Sequence, residues 1–214
     1  MNRKKSFVVS GIFAILFIAH IVLLKIYDVD NIGPMETAVG FSHINGRIHD
    51  IFGINIIWYK ITEIFGILAL LVCAGFAFVG LMQLIRRKSL KEVDSIILKL
   101  GGLYAVVIFL YALFEKVIIN YRPIIMPDAT EPEASFPSSH TMLICVVMGS
   151  TILVIHNYVK NKKLVAVLQG LCVLIMVITV VGRLICGVHW FTDILGGIFI
   201  SVALLAAFFG VMES

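Results

Sequence analysis

Six apolar runs occupy most of the chain, at residues 6–27, 54–85, 96–119, 139–158, 164–181 and 190–212. A helix needs about 20 mostly apolar residues to cross the hydrocarbon of a bilayer, and these runs lie within or above that range. Inside hydrocarbon the backbone finds no water, so each run must satisfy its own hydrogen bonds, as a helix does. The expected fold is therefore all-α: a polytopic membrane bundle of six transmembrane spans plus an interfacial amphipathic helix. Composition points the same way. The chain is 60% hydrophobic and 14% charged, where a soluble domain has about 45–50% and 25%. That balance excludes a soluble enzyme with an appended anchor. No stretch is long and polar enough for a second unit, so residues 1–214 are read as one membrane domain. The formal charge of +4 is too small to argue for nucleic acid.

The basic segment before the first run suggests a signal peptide, but the run exceeds the ~7–15 residues of a signal core and lacks a small-residue cleavage site. It is read as a retained span. Phe41, Ile44, Ile48, Ile51 and Phe52 then recur at helical spacing opposite Ser42, Asn45, His49 and Asp50. This is the pattern of a helix lying in the interface. The second run opens with Trp58, Tyr59, Lys60 and Glu63, so its hydrocarbon core is placed from about Ile64. A proline-rich polar loop at 120–139 separates the third and fourth runs. The four cysteines form no C-x-x-C pair, and three sit inside apolar runs, as packing residues do. Basic clusters at 3–5, 86–91 and 160–163 all fall on one side of a six-span chain. The positive-inside rule makes that side cytoplasmic, with both termini. The amphipathic helix, the proline-rich loop and the turn before the sixth run then share the outer face.

Three polar islands meet at that face: YRP at 121–123, SFPSSHT at 135–141, and GRLICGVHWFTD at 182–193. A charge inside a span costs ~2.5–3.5 kcal/mol on insertion scales, so Arg183, His189 and Asp193 need a use. His189 and Asp193, four apart, share a helix face. A carboxylate on one ring nitrogen of a histidine frees the other as nucleophile or base. Arg122 and Arg183 offer planar forks suited to phosphate. Ser138 and Ser139 open a helix whose free N–H groups favour an anion.

The islands read R-P, then P-S-S-H, then R-x5-H-x3-D. This resembles the type 2 phosphatidic acid phosphatase (PAP2) superfamily, the membrane lipid phosphatases related to vanadium haloperoxidases. The resemblance spans residues 115–193. The family pattern is K-x6-R-P, P-S-G-H and S-R-x5-H-x3-D. Here Glu115 stands at the first lysine, Ser139 replaces glycine and Gly182 replaces serine.

The resemblance implies that His189 attacks phosphorus, that Asp193 holds its ring, and that His140 protonates the leaving oxygen and later activates water. Arg122, Ser138, Ser139 and Arg183 would bind the phosphate. Whether Glu115 or its neighbour Lys116 takes the lysine's place stays open. If Glu115 faces the cavity, it is expected to bond Arg122 or Arg183. The residues call for no cofactor and no metal ion, and the partners expected are membrane lipids and a lipid phosphate. By resemblance the leading substrate is an isoprenoid (undecaprenyl-type) pyrophosphate, with a phosphatidate or a phosphatidylglycerophosphate close behind it, hydrolysed at the extracytoplasmic face of the cell membrane. A lipid phosphotransferase with the same His-His-Asp set, and a non-catalytic lipid-binding or transport protein, are the rival readings. Oligomeric state is open.

Overall fold

The structure is a computed structural model that describes residues 2–127 and 129–213. Its seven α-helices among the described residues are α1 (Arg3–Ile26), α2 (Ser42–Phe52), α3 (Ile56–Arg87), α4 (Ser95–Lys116), α5 (Ser139–Val154), α6 (Lys162–Ile185) and α7 (Phe191–Met212). All but α2 are long and apolar enough to cross a membrane, α5 together with the 3₁₀ turn that extends it to Asn157. The short α2 is the amphipathic segment expected between the first two spans.

Asparagines start three of the helices. Asn2, Asn55 and Asn161 each accept N–H bonds from the first turns of α1, α3 and α6, which satisfies donors that a helix start leaves orphaned. The helix ends also depart from the apolar runs in an informative way. α3 is continuous from Ile56, through the interfacial Trp58, Tyr59 and Lys60. At 32 residues it is about 48 Å long, well beyond a hydrocarbon core of ~30 Å. α6 continues past 181 to Ile185, so Arg183 lies on its last turn and not in the following loop.

α5 and α7 are central. They bury 56% and 50% of their apolar windows, against 11–22% for the other four spans. α1 packs along α7, while α5 contacts α3, α4, α6 and α7. Small residues allow these approaches. A side chain on Gly196 would strike the Phe136 ring, and one on Gly197 would meet Thr141 and the Ser138 carbonyl. With little hydrophobic drive between helices in lipid, such close backbone contact is a main source of association.

The polar end of the bundle is tied together by side chains. Asn45 of α2 donates to the Thr192 hydroxyl at 2.9 Å and accepts from the Thr192 N–H at 3.2 Å. His20 of α1 reaches the Thr192 carbonyl at 2.9 Å. Lys25 Nζ donates to the Ile119 carbonyl at 2.7 Å, just after α4. The loop between α4 and α5 doubles back on itself. The Arg122 N–H donates to Glu133 O, and the Ser135 N–H donates to Asn120 O. This rung pattern holds the loop across the mouths of α4, α5 and α7.

Candidate active site

Arg183, on the last turn of α6, is 1% exposed. Its guanidinium is used from both sides. Nη1 donates to the Thr62 hydroxyl at 3.1 Å and to Glu63 Oε1 at 3.2 Å. Nη2 lies 3.1 Å from His189 Nε2, and the cation stands 5.5 Å from the centre of the Tyr59 ring. A guanidinium can only donate, so His189 Nε2 presents its lone pair to it and the ring proton sits on Nδ1. That Nδ1 is buried without a hydrogen-bond partner among the described residues and lies 3.8 Å from Asp193 Oδ2.

Gly187 makes this arrangement possible. Its φ of +68° lies in the left-handed region, and a Cβ there would sit 2.0 Å from the Gly53 carbonyl oxygen. The chain thus turns from α6 toward α7 pressed against the segment before α3. Gly182, where the family pattern has serine, is explained in the same terms. A side chain at 182 would meet Thr62 and Trp58 of α3 at 2.9 and 3.0 Å. The place of the serine is filled by α3 itself.

Asp193 is fully buried. Its Oδ2 accepts from the Trp190 N–H at 3.0 Å and its Oδ1 from Asn120 Nδ2 at 3.2 Å. It therefore caps α7 and fastens the 120–135 loop, and its contact with the His189 ring is electrostatic at that distance. His140, on the first turn of α5, places Nε2 3.1 Å from Glu63 Oε1. A carboxylate accepts, so His140 Nε2 carries a proton. The two histidines thus hold opposite states at the same ring atom: a lone pair on His189 and a proton on His140. Gly66, one turn beyond Glu63, leaves room for the His140 ring, whose Nε2 would be 2.9 Å from a Cβ at 66.

The sequence-expected residues separate at this point. Glu115, Arg122, Ser139, His140 and Arg183 line one cavity of about 550 Å³. Arg122, Ser139, Glu115 and His189 line an adjoining crevice. Ser138 lines neither. Its buried hydroxyl accepts from the Thr141 hydroxyl at 3.0 Å, and its N–H donates to the Asp193 carbonyl at 3.0 Å. It caps α5 and locks it to α7. Lys116 is exposed and lines neither space, one helical step of about 100° away from Glu115. Neither expected arginine pairing of Glu115 is present among the described residues. Arg122 Nε pairs with Glu133 at 3.2 Å, and Arg183 pairs with Glu63.

Glu63 is the residue that reading the motifs missed. It lies 52 positions before the first motif residue, so no spacing pattern includes it. The available signal was its cost: a carboxylate near the start of an apolar span, three residues before a glycine, needs a partner.

The walls of the larger cavity change character along its length. Glu63, Arg122, His140 and Arg183 form one end, and Ile67, Leu70, Val107, Ile108 and Leu143 continue it between α3 and α4. A ligand with an anionic head and an apolar tail fits such a space.

Burial pushes the His189 imidazole well below its ordinary range, and the nearby charges of Arg183, Arg122 and His140 push it further the same way. Both causes disfavour the cation. A nucleophilic histidine must be neutral, so activity should persist as pH falls through the ordinary histidine value of about 6.5. The acid limb of kcat/KM is expected well below that pH. An acid limb centred at or above pH 6.5 would remove His189 from the nucleophile's role.

A family model described as the PAP2 superfamily matches residues 96–213. The fold is similar to the crystal structure of a transmembrane PAP2-type phosphatidylglycerolphosphate phosphatase from Bacillus subtilis. The TM-score is 0.64 at 19% sequence identity, with 95% of this chain and 94% of that chain covered. No curated protein matches the chain in sequence.

Proposed function

The chain belongs to the PAP2 superfamily and has the fold of a membrane lipid phosphatase, and from that premise we propose that it hydrolyses a lipid phosphomonoester through a phosphohistidine on His189. The observation that carries the reading is the complementary pair of ring atoms. His189 Nε2 holds a lone pair and His140 Nε2 a proton, and the two are linked through Arg183 and Glu63.

In the first step the lone pair of His189 Nε2 bonds to phosphorus while the bond from phosphorus to the lipid oxygen breaks. The proton on His140 Nε2 passes to that oxygen, and the lipid alcohol departs. In the second step water attacks the phosphohistidine, giving its proton to His140, and the bond to His189 Nε2 breaks. Splitting one displacement into two lowers each barrier. Arg183 and Arg122 neutralise the charge on the equatorial oxygens as it develops. Asp193, close to Nδ1, favours the positive charge that His189 gains during attack.

Charge in the cavity favours a monoester over a pyrophosphate. Glu63 and Glu115 line it, and Arg122 is already paired with Glu133. A pyrophosphate would bring more negative charge to a site with little free positive charge to meet it. The substrate class is thus a diacylglycerol-type phosphomonoester such as a phosphatidate or phosphatidylglycerolphosphate. Purified protein should release phosphate from these faster than from undecaprenyl pyrophosphate in a mixed-micelle panel. A clear preference for the pyrophosphate would reverse the charge argument.

We place the site at the extracytoplasmic face. The helix order sets Arg86, Arg87, Lys88, Lys160, Lys162 and Lys163 at the end opposite His140 and His189, and such clusters stay in the cytoplasm. Single cysteines introduced at Glu131 or Glu133, both exposed, should react with an impermeant thiol reagent added to intact cells. Reaction only after the membrane is opened would put the site in the cytoplasm.

A further inference from the structure

Glu63 does more than neutralise Arg183. One oxygen, Oε1, is 3.1 Å from His140 Nε2 and 3.2 Å from Arg183 Nη1. Those are the proton donor and the cation that the substrate phosphate itself must engage. The carboxylate therefore stands where a phosphate oxygen would stand, and makes that oxygen's bonds. Carboxylate and phosphate are interchangeable partners for a guanidinium fork.

The same network also blocks the nucleophile. With Nη1 held by Glu63 and Thr62, Arg183 directs Nη2 onto the lone pair of His189 Nε2. A nitrogen whose lone pair accepts a hydrogen bond cannot attack until that bond is given up. The resting site is closed at both reacting atoms, His140 Nε2 and His189 Nε2, by groups of the protein.

The parts differ in how easily they move. Arg183 is 1% exposed and Asp193 fully buried, whereas the Glu63 side chain is 38% exposed and borders the large cavity. A glutamate turns about three side-chain bonds without moving its helix. Glu63 is the member that can leave.

We propose that Glu63 is an internal anion that holds the empty site closed and is displaced into the cavity by the substrate phosphate. This rests on the phosphate-site reading above. Once phosphate takes over His140 Nε2 and Arg183 Nη1, the guanidinium is drawn toward the substrate and the His189 lone pair is released. Until then the protein binds any anion with an affinity reduced by the fraction of time the site is open.

The test is kinetic, with full-length protein in micelles and inorganic phosphate as the probe. Glu63→Gln keeps the shape and removes the charge. Glu63→Asp keeps the charge but withdraws it by one methylene, so that it cannot reach both partners. In both variants the Ki of inorganic phosphate and the KM of a lipid phosphomonoester should fall, by about tenfold if the open state is about a tenth populated in the wild type. An unchanged or raised Ki in both variants, with kcat down a hundredfold, would mean that Glu63 orients His140 and competes with nothing; that result overturns the proposal. If inorganic phosphate inhibits neither the wild type nor the variants, the phosphate-site reading itself falls, and the proposal with it.

Discussion

Replacing His189 by alanine should abolish phosphate release, with a loss of at least ~10⁴-fold in kcat, the scale that follows removal of a group that forms the covalent bond. His189 is 4% exposed and sits between the Arg183 guanidinium and the buried Asp193. The measurement is turnover of a lipid phosphomonoester by purified variant, with thermal melting to show that the bundle persists. A second readout is independent of turnover. Wild-type protein quenched during turnover should carry an alkali-stable, acid-labile phosphoryl group, as a phosphohistidine does, and the alanine variant should carry none. A labelled alanine variant would place the nucleophile elsewhere.

Arg183→Lys should lose ~10²–10³ in kcat even though the charge is kept, the range found when one stabilising donor is removed from a transition state. The reason lies in the fork. Arg183 reaches Thr62 and Glu63 with one nitrogen and His189 with the other. An ammonium is a single point and cannot span both. Arginine to alanine is a harsher change, because it leaves Glu63 without its cation and empties a buried site. Lysine is therefore the informative variant. Near wild-type kcat in Arg183→Lys would show that charge alone suffices and that the fork has no part in the chemistry.

The departures from the family pattern sort by where their explanation lies. Ser139 for glycine leaves a side chain at the cavity wall. Gly182 for serine is explained by α3, whose Thr62 and Trp58 fill the space. Glu115 for lysine stands at the cavity with Lys116 turned away, so the exchange alters the charge of the site and not the register of α4. Ser138, expected to bind the phosphate, caps α5 with a buried hydroxyl that accepts from Thr141.

The sequence by itself determined the number and type of the spanning elements, the amphipathic α2, and the gathering of the three polar islands at one end. Each depends on local spacing or on the order of helices along the chain, and hydrocarbon admits few alternatives to a helix. Only the tertiary structure decided which charges meet. Arg183 and Glu63 are 120 residues apart, and Asn120 and Asp193 are 73 apart. Arg122 takes Glu133 and leaves Glu115 to the cavity, because the loop after α4 folds back and brings residues 122 and 133 side by side. A carboxylate in the second span carries its cost in the sequence, but its partner is set by how α3 crosses α5 and α6, and no one-dimensional spacing records that crossing.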